Sequence, residues 1–168
     1  MKVLVIRHAI AEEREAFAEH GKPDDERPLT ANGRRRMERG ARGLRTLVPR
    51  INLLACSPLV RAQQTAAVVA KVYGTEVGEK TVALSPDAPL DQFAKWLTPH
   101  SDVDVVAVVG HEPHLSTLVT WLLSGISDSR IDFKKGGACL LEIDGQPGPA
   151  GAKLLWLLTP RALRQLAD

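Results

Sequence analysis

Apolar residues come along this chain in short bursts separated by longer amphipathic stretches, an alternation that predicts strand followed by helix several times over. Val3 to Ile6 reads as a buried strand. A polar loop from Glu12 to Pro28, rich in acids and carrying Gly21-Lys22-Pro23, leads to a helix from Ala31 to Leu47 with Thr30 as its N-cap. Ile51 to Cys56 is a second apolar strand. Ser57 then reads as an N-cap and Pro58 as the first residue of a helix that reaches Val72 and stops at Tyr73-Gly74. A weak strand near Thr81 to Leu84 precedes a short helix around Leu90 to Leu97, and Val103 to Val109 is the strongest strand of the chain. After His111-Glu112-Pro113 a helix runs to about Leu123. In the final third, Ala138 to Ile143 and Lys153 to Leu158 flank the turn-rich Asp144-Gly145-Gln146-Pro147-Gly148, the pattern of a hairpin, and Pro160 opens a short terminal helix.

Strands separated by helices predict an α/β fold, a three-layer α/β/α sandwich around a mostly parallel central sheet. Right-handed crossovers place the strand-to-helix loops at one sheet edge, and ligands bind beyond the carboxyl ends of such strands. Arg7-His8 follows the first strand, Ser57 to Arg61 the second, and Gly110-His111 the strongest. These segments can meet in one crevice only if the three strands are close neighbours.

The chain has 168 residues, 44% hydrophobic and 25% charged, the size of one ordinary domain, so residues 1–168 are expected to form a single one. Lys and Arg exceed Asp and Glu by 22 to 20, which gives no support for a nucleic-acid-binding or membrane-surface protein as a whole. Functional positive charge must then be local. Cys56 and Cys139 lack redox or zinc spacing and read as small core residues. Arg7 cuts the first apolar run too early for a signal-peptide core, and no later run reaches the length of a membrane span. A soluble, cytoplasmic protein is expected.

Arg61 falls in the first turn of its helix, where a cation opposes the helix dipole by about 0.3 to 1 kcal/mol unless an anion is bound. Pairing with a loop carboxylate is the alternative. Ser57 is explained as a cap, with no Gly-x-Ser-x-Gly elbow to make it a nucleophile. His111 and His114 flank Glu112 as HExH, which does not align two metal ligands on one helical face as HExxH does, so no metal is expected. His114 reads as a helix-surface residue, and His20 and His100 as exposed loop residues. Lys134-Lys135-Gly136-Gly137 lacks the Walker arrangement and reads as a solvated turn. Two histidines and two arginines at one edge suit a phosphoryl group: arginine forks bind its oxygens bidentately, and neutral imidazole attacks phosphorus well.

The segments LVIRHA, RPLTANG, CSPLVRAQQTA and VVGHEP, in this order, resemble the signature of the histidine phosphatase (phosphoglycerate mutase-like) superfamily, with Ala9 where glycine is usual. The small size, the RPLT-x-x-G and GHEP elements and the closing LLWLLTPRALRQL are similar to the SixA-type phosphohistidine phosphatases. The resemblance implies a phosphoglycerate mutase-like fold with His8 as the nucleophile. It further implies that Arg7 and Arg61 hold the phosphoryl oxygens, that His111 stabilises transition-state charge, and that no cofactor is needed. Arg27 is a further arginine within reach of the pocket or of solvent. Glu112, Asp87 and Asp91 are candidates for a general acid, although Glu112 also suits a helix N-terminus and Asp87 a turn. The expected activity is hydrolysis of phosphohistidine on a partner protein, a histidine-phosphotransfer protein being one such partner. A phosphomonoesterase for small metabolites and a silent phosphate-binding domain are the alternatives.

Overall fold

The computed structural model describes residues 1–167. Its strands are β1 (Lys2–Arg7), β2 (Leu53–Cys56), β3 (Glu79–Lys80), β4 (Val105–Gly110), β5 (Ala138–Ile143) and β6 (Ala152–Leu158), joined in one sheet of order β3-β2-β4-β1-β5-β6. The first four run parallel, whereas β5 is antiparallel to β1 and β6 to β5. The helices are α1 (Arg14–Ala18), α2 (Ala31–Leu47), α3 (Val60–Tyr73), α4 (Leu90–Leu97), α5 (His114–Ser124) and α6 (Pro160–Gln165). This is a mixed, mostly parallel sheet with helices on both faces, the three-layer arrangement expected from the strand–helix alternation.

The central strands are apolar without a break because both their faces are covered. Leu4 and Ile6 point toward Met37, Leu44, Ala66, Val69 and Leu163 of α2, α3 and α6. Val3 and Val5 point the other way, toward Phe93, Leu97, Leu118 and Leu122 of α4 and α5. Each fully buried side chain of this kind contributes roughly 1.5 to 3 kcal/mol. Buried residues of α2 recur three or four apart, at Gly33, Met37, Gly40, Ala41 and Leu44, which turns its arginines outward. Gly43 is where α6 crosses α2: a Cβ there would stand 1.8 Å from the carbonyl oxygen of Leu163.

Several boundaries differ from the sequence reading. Thr81 to Leu84 is not a strand. Pairing with β2 ends at Lys80, and the Thr81 hydroxyl then accepts from the amide of Ala83 at 3.3 Å, turning Val82–Leu84 into a 3-10 helix that buries Leu84. The stretch from Glu12 to Pro28 is not one loop but holds α1, anchored by buried Phe17, and a 3-10 turn at Asp24–Glu26. The start of α3 is at Val60, with Leu59 in the cap position and no side-chain cap, so Ser57 is not the N-cap. Thr30 does cap α2, accepting from the amide of Gly33 at 2.9 Å, and Gly74 ends α3 in the left-handed conformation.

Candidate active site

Register decides which side chains meet. In the β1–β4 pair Arg7 stands opposite Gly110, so the next residues, His8 and His111, leave adjacent strand ends together. The amide of His8 donates to the carbonyl of Gly110 at 3.0 Å, and the two imidazole centroids are 5.1 Å apart. On the other side of β4, Cys56 stands opposite Val109, which brings Ser57 to the same edge. Its hydroxyl lies 2.8 Å from Nε2 of His111 and accepts from the amide of Leu59 at 3.3 Å. Ser57 therefore ties His111 to the turn before α3, a role that the capping interpretation missed.

His8 is held in one tautomer. Its Nδ1 is 2.7 Å from the carbonyl oxygen of Ala9, which can only accept, so Nδ1 carries the hydrogen and Nε2 the lone pair. Burial drives its pKa down to about 3, with Arg61, Arg7 and Lys135 adding to the shift and the Ala9 carbonyl opposing it. His111 is driven down to about 2, first by burial and then by His8, Arg61 and His114. Both rings are neutral at pH 7. Ala9 replaces the usual glycine without strain, because Ala150 is the only non-glycine with positive φ among the described residues. The Ala9 amide donates to Thr65 Oγ1 at 3.0 Å, and Thr65 in turn donates to the Arg61 carbonyl at 2.7 Å.

Arg61 is 3% exposed and lies in the first turn of α3. Its positive charge at that helix end is offset by Asp24, a residue that sequence reasoning did not single out. The Asp24 carboxylate is 3.1 Å from Nη2 of Arg61, and Nη1 donates to the Asp24 carbonyl at 2.9 Å. Burial alone would raise the Asp24 pKa, but its bond with Arg27 and the charges of Arg61, Arg27 and Arg14 hold it below the usual carboxylate range. Arg27 is buried and donates from Nε to Asp24 at 2.8 Å and from Nη1 to the Glu12 carbonyl at 2.7 Å. It braces the loop that carries Asp24. Arg7 donates from Nη1 to the Phe133 carbonyl at 2.6 Å. Arg7 Nε, Arg61 Nε and His111 Nδ1 are buried with no hydrogen-bond partner among the described residues, three polar nitrogens on residues that converge around His8.

The general-acid candidates separate. Asp87 and Glu112 line a cleft of about 530 Å³ that opens against Arg61 and Asp24. Asp91 does not line it; it pairs with Lys95 at 2.7 Å on the exposed side of α4. Glu112 accepts from the amide of Ser116 at 3.0 Å and from its hydroxyl at 2.6 Å, while burial raises its pKa above the ordinary value. His114 is buried rather than on the surface, because the start of α5 packs beneath the segment holding Asp87 and Ala88. His100 is half-buried beside Glu79 and Trp96. The Lys134 to Gly137 turn is more than a solvated loop: Gly136 donates to the carbonyls of Arg7 and His8, both at 3.1 Å, while Lys134 and Lys135 stay exposed. Among the described residues no group of three His, Cys, Asp or Glu side chains could hold a metal ion.

The sequence matches the histidine phosphatase superfamily (branch 1) over residues 3–81. The chain belongs to this superfamily. An uncharacterized protein of Picosynechococcus is 31% identical over 140 residues, 82% of either chain. An uncharacterized protein of Mycobacterium tuberculosis is 28% identical over 119 residues, 71% of this chain and 70% of that one. Among solved structures, the protein histidine phosphatase SixA complexed with tungstate superposes with a TM-score of 0.83 at 24% identity, covering 97% of this chain and 99% of that one. The α-ribazole phosphatase of Shigella flexneri superposes with a TM-score of 0.75 at 19% identity, covering 95% and 97%. A protein histidine phosphatase and an α-ribazole phosphatase thus share this fold, and no helix among the described residues is long and apolar enough to cross a membrane.

Proposed function

We propose that this histidine phosphatase hydrolyses phosphohistidine on a partner protein through a covalent intermediate on His8. The observation that carries the chemistry is the Nδ1–H bond of His8 to Ala9, which leaves Nε2 as an unprotonated nucleophile at neutral pH beside two guanidinium groups. Nε2 attacks phosphorus as the substrate's P–N bond breaks, and the departing imidazole takes a proton from solvent. Water then attacks the phosphorus on His8, releasing inorganic phosphate and restoring neutral imidazole. Arg7 and Arg61 hold the phosphoryl oxygens throughout, and His111, fixed by Ser57, faces the same group. SixA has been solved in complex with tungstate, a tetrahedral oxyanion of the shape that Arg7 and Arg61 would hold here.

Glu112 bears on the substrate class. Both of its oxygens accept from Ser116 across the N-terminus of α5, which opposes the larger rise that burial causes and engages the carboxyl as an acceptor rather than as an acid for a leaving alkoxide. A P–N bond needs no such acid. Burial of the same carboxyl raises its pKa, and that supports a second reading, a phosphomonoesterase with Glu112 as proton donor. Side-by-side turnover of a phosphohistidine peptide, a phosphoserine peptide and small sugar phosphates tests the choice. Preference for phosphohistidine by at least a hundredfold in kcat/KM is expected; preference for an ester overturns the proposal.

A further inference from the structure

We propose that the arginines of α2 and α6 beside the catalytic loop form a docking surface for an acidic patch on the phosphorylated protein. The proposal rests on the phosphoprotein reading above and names the feature by which the partner is chosen. The exposed side of α2 carries Arg34, Arg35, Arg36, Arg39, Arg42 and Arg45, and α6, packed across α2 at Gly43, adds Arg161 and Arg164. Arg42 is answered by Glu38 at 2.9 Å. Arg36, Arg161 and Arg164 have no ion pair among the described residues; burial lowers the Arg164 pKa most, and the neighbouring charges of Arg36, Arg39 and Arg161 lower it further. Like charges gathered along one exposed face, three of them with no ion pair among the described residues, point to a counter-charge supplied from outside.

The ridge is continuous with the active site. Arg36 and Arg164 share a small cleft with Ala9 and Ile10, which follow His8, and with Lys135 and Gly136. That cleft holds about 30 Å³, little more than one water, so it is no pocket for a metabolite. Splayed guanidinium groups suit a broad protein surface instead. The larger cleft differs in charge: Asp24, Asp25, Asp87 and Glu112 line it, with Arg14 and Arg61 as its two cations. A nucleic acid lying across the mouth would meet that carboxylate rim, whereas a folded partner can present acid to one side only. Two clefts of unlike charge fix how the partner sits and so which phosphorylated side chain reaches His8.

The test uses three phosphohistidine probes: a peptide flanked by glutamates, a peptide flanked by serine and glycine, and free phosphohistidine. A glutamate peptide without phosphate measures docking independently of turnover. The expected result is a KM about tenfold lower for the glutamate-flanked peptide at 50 mM salt, the advantage disappearing at 0.5 M. In Arg36→Glu/Arg164→Glu it disappears at either salt, kcat and the rate on free phosphohistidine are unchanged, and the unphosphorylated glutamate peptide no longer binds. Equal KM values for the two peptides, or a variant that binds the glutamate peptide as the wild type does, overturns the docking surface. A variant that loses affinity for an oligonucleotide but not for the glutamate peptide also overturns it. Failure to hydrolyse free phosphohistidine instead overturns the phosphohistidine reading, and the binding of the unphosphorylated peptide still decides the ridge.

Discussion

Asp24 grips Arg61 at two points, with its carboxylate 3.1 Å from Nη2 and its backbone carbonyl 2.9 Å from Nη1. The grip aims one guanidinium edge at the loop and leaves Nε without a partner. Asp24→Asn keeps the carbonyl contact and removes the charge. A loss of about tenfold in kcat/KM on an aryl phosphate is expected, roughly 1.4 kcal/mol, together with weaker thermal stabilisation by vanadate. Arg61→Lys should cost about 1.5 to 3 kcal/mol in transition-state binding, because an ammonium cannot make the paired contacts. Unchanged vanadate stabilisation in both variants would show that Arg61 only braces the loop.

The same pair reverses an expectation about stability. A cation in the first turn of a helix should be a liability of about 0.3 to 1 kcal/mol, so a simple dipole argument has Arg61→Ala neutral or stabilising. Since Arg61 is buried and bonded to Asp24, its removal leaves polar groups unpaired and should instead destabilise the free protein by about 1 to 3 kcal/mol. Urea unfolding without added anion measures this, and a midpoint at or above the wild type's would refute it.

His8→Ala should fold as the wild type does and lose essentially all turnover, since His8 sits beyond the end of β1 and outside both apolar clusters. Quenching the wild type with labelled substrate should leave phosphate on His8 that is acid-labile and base-stable. Turnover by the alanine variant at a tenth or more of the normal rate would exclude the covalent mechanism.

Acid should destabilise the fold through the two imidazoles. His8 and His111 titrate at about 3 and about 2 in the folded chain, far below the value of about 6.5 for an unfolded one. As pH falls, the unfolded state takes up these protons first. Stability is therefore flat above pH ~6.5 and falls from there through the folded values, by up to about 1.4 kcal/mol per pH unit for each ring. Denaturant midpoints between pH 7 and 4 should show this slope, and His8→Asn should make it shallower. The rate on an aryl phosphate should show no imidazole titration between pH 8 and about 5. An acid limb centred near 6.5 would mean that His8 is protonated far more readily than its surroundings imply.

Glu112→Gln separates the two substrate classes. With phosphohistidine as substrate its hydrolysis should be nearly unchanged, because the leaving imidazole is protonated by solvent. If Glu112 is instead the acid of an ester phosphatase, the variant should lose roughly 10²- to 10⁴-fold on alkyl phosphates and much less on aryl phosphates. That second pattern, seen together with equal wild-type rates on phosphoserine and phosphohistidine peptides, would favour the metabolite phosphatase.

The longer elements, which depend on local pattern, were legible in the sequence. The alternation of β1, α2, β2, α3 and β4, the Thr30 cap and the hairpin at the end could be read from spacing and turn chemistry. So could Arg7, His8, Arg61 and His111 at the ends of three strands, because apolar runs that stop at charged residues mark strand tips. Gln64 and Thr65 stood in plain view three and four residues beyond Arg61, on the same helical face. Their bonds to the Leu29 amide and the Ala9 amide show why that motif binds two loops together.

Only the tertiary structure could decide that β4 lies between β2 and β1, since strand order is a matter of pairing between segments some fifty residues apart or more. The order β2-β4-β1 is what turns three separate tips into one site, and the register opposite Gly110 is what sets His8 beside His111. Asp24 was invisible for a related reason. In a stretch dense with acids, nothing local distinguishes the one carboxylate that the packing of Phe17 and the Arg27 brace carry to Arg61. Ser57 was misread because Ser-Pro before a helix satisfies capping rules by itself, and only the β2–β4 register reveals that its hydroxyl serves His111. Sequence determines which elements form and which groups stand at their ends; the distance between those ends is a property of the folded sheet, where long-range pairing energy outweighs local preference.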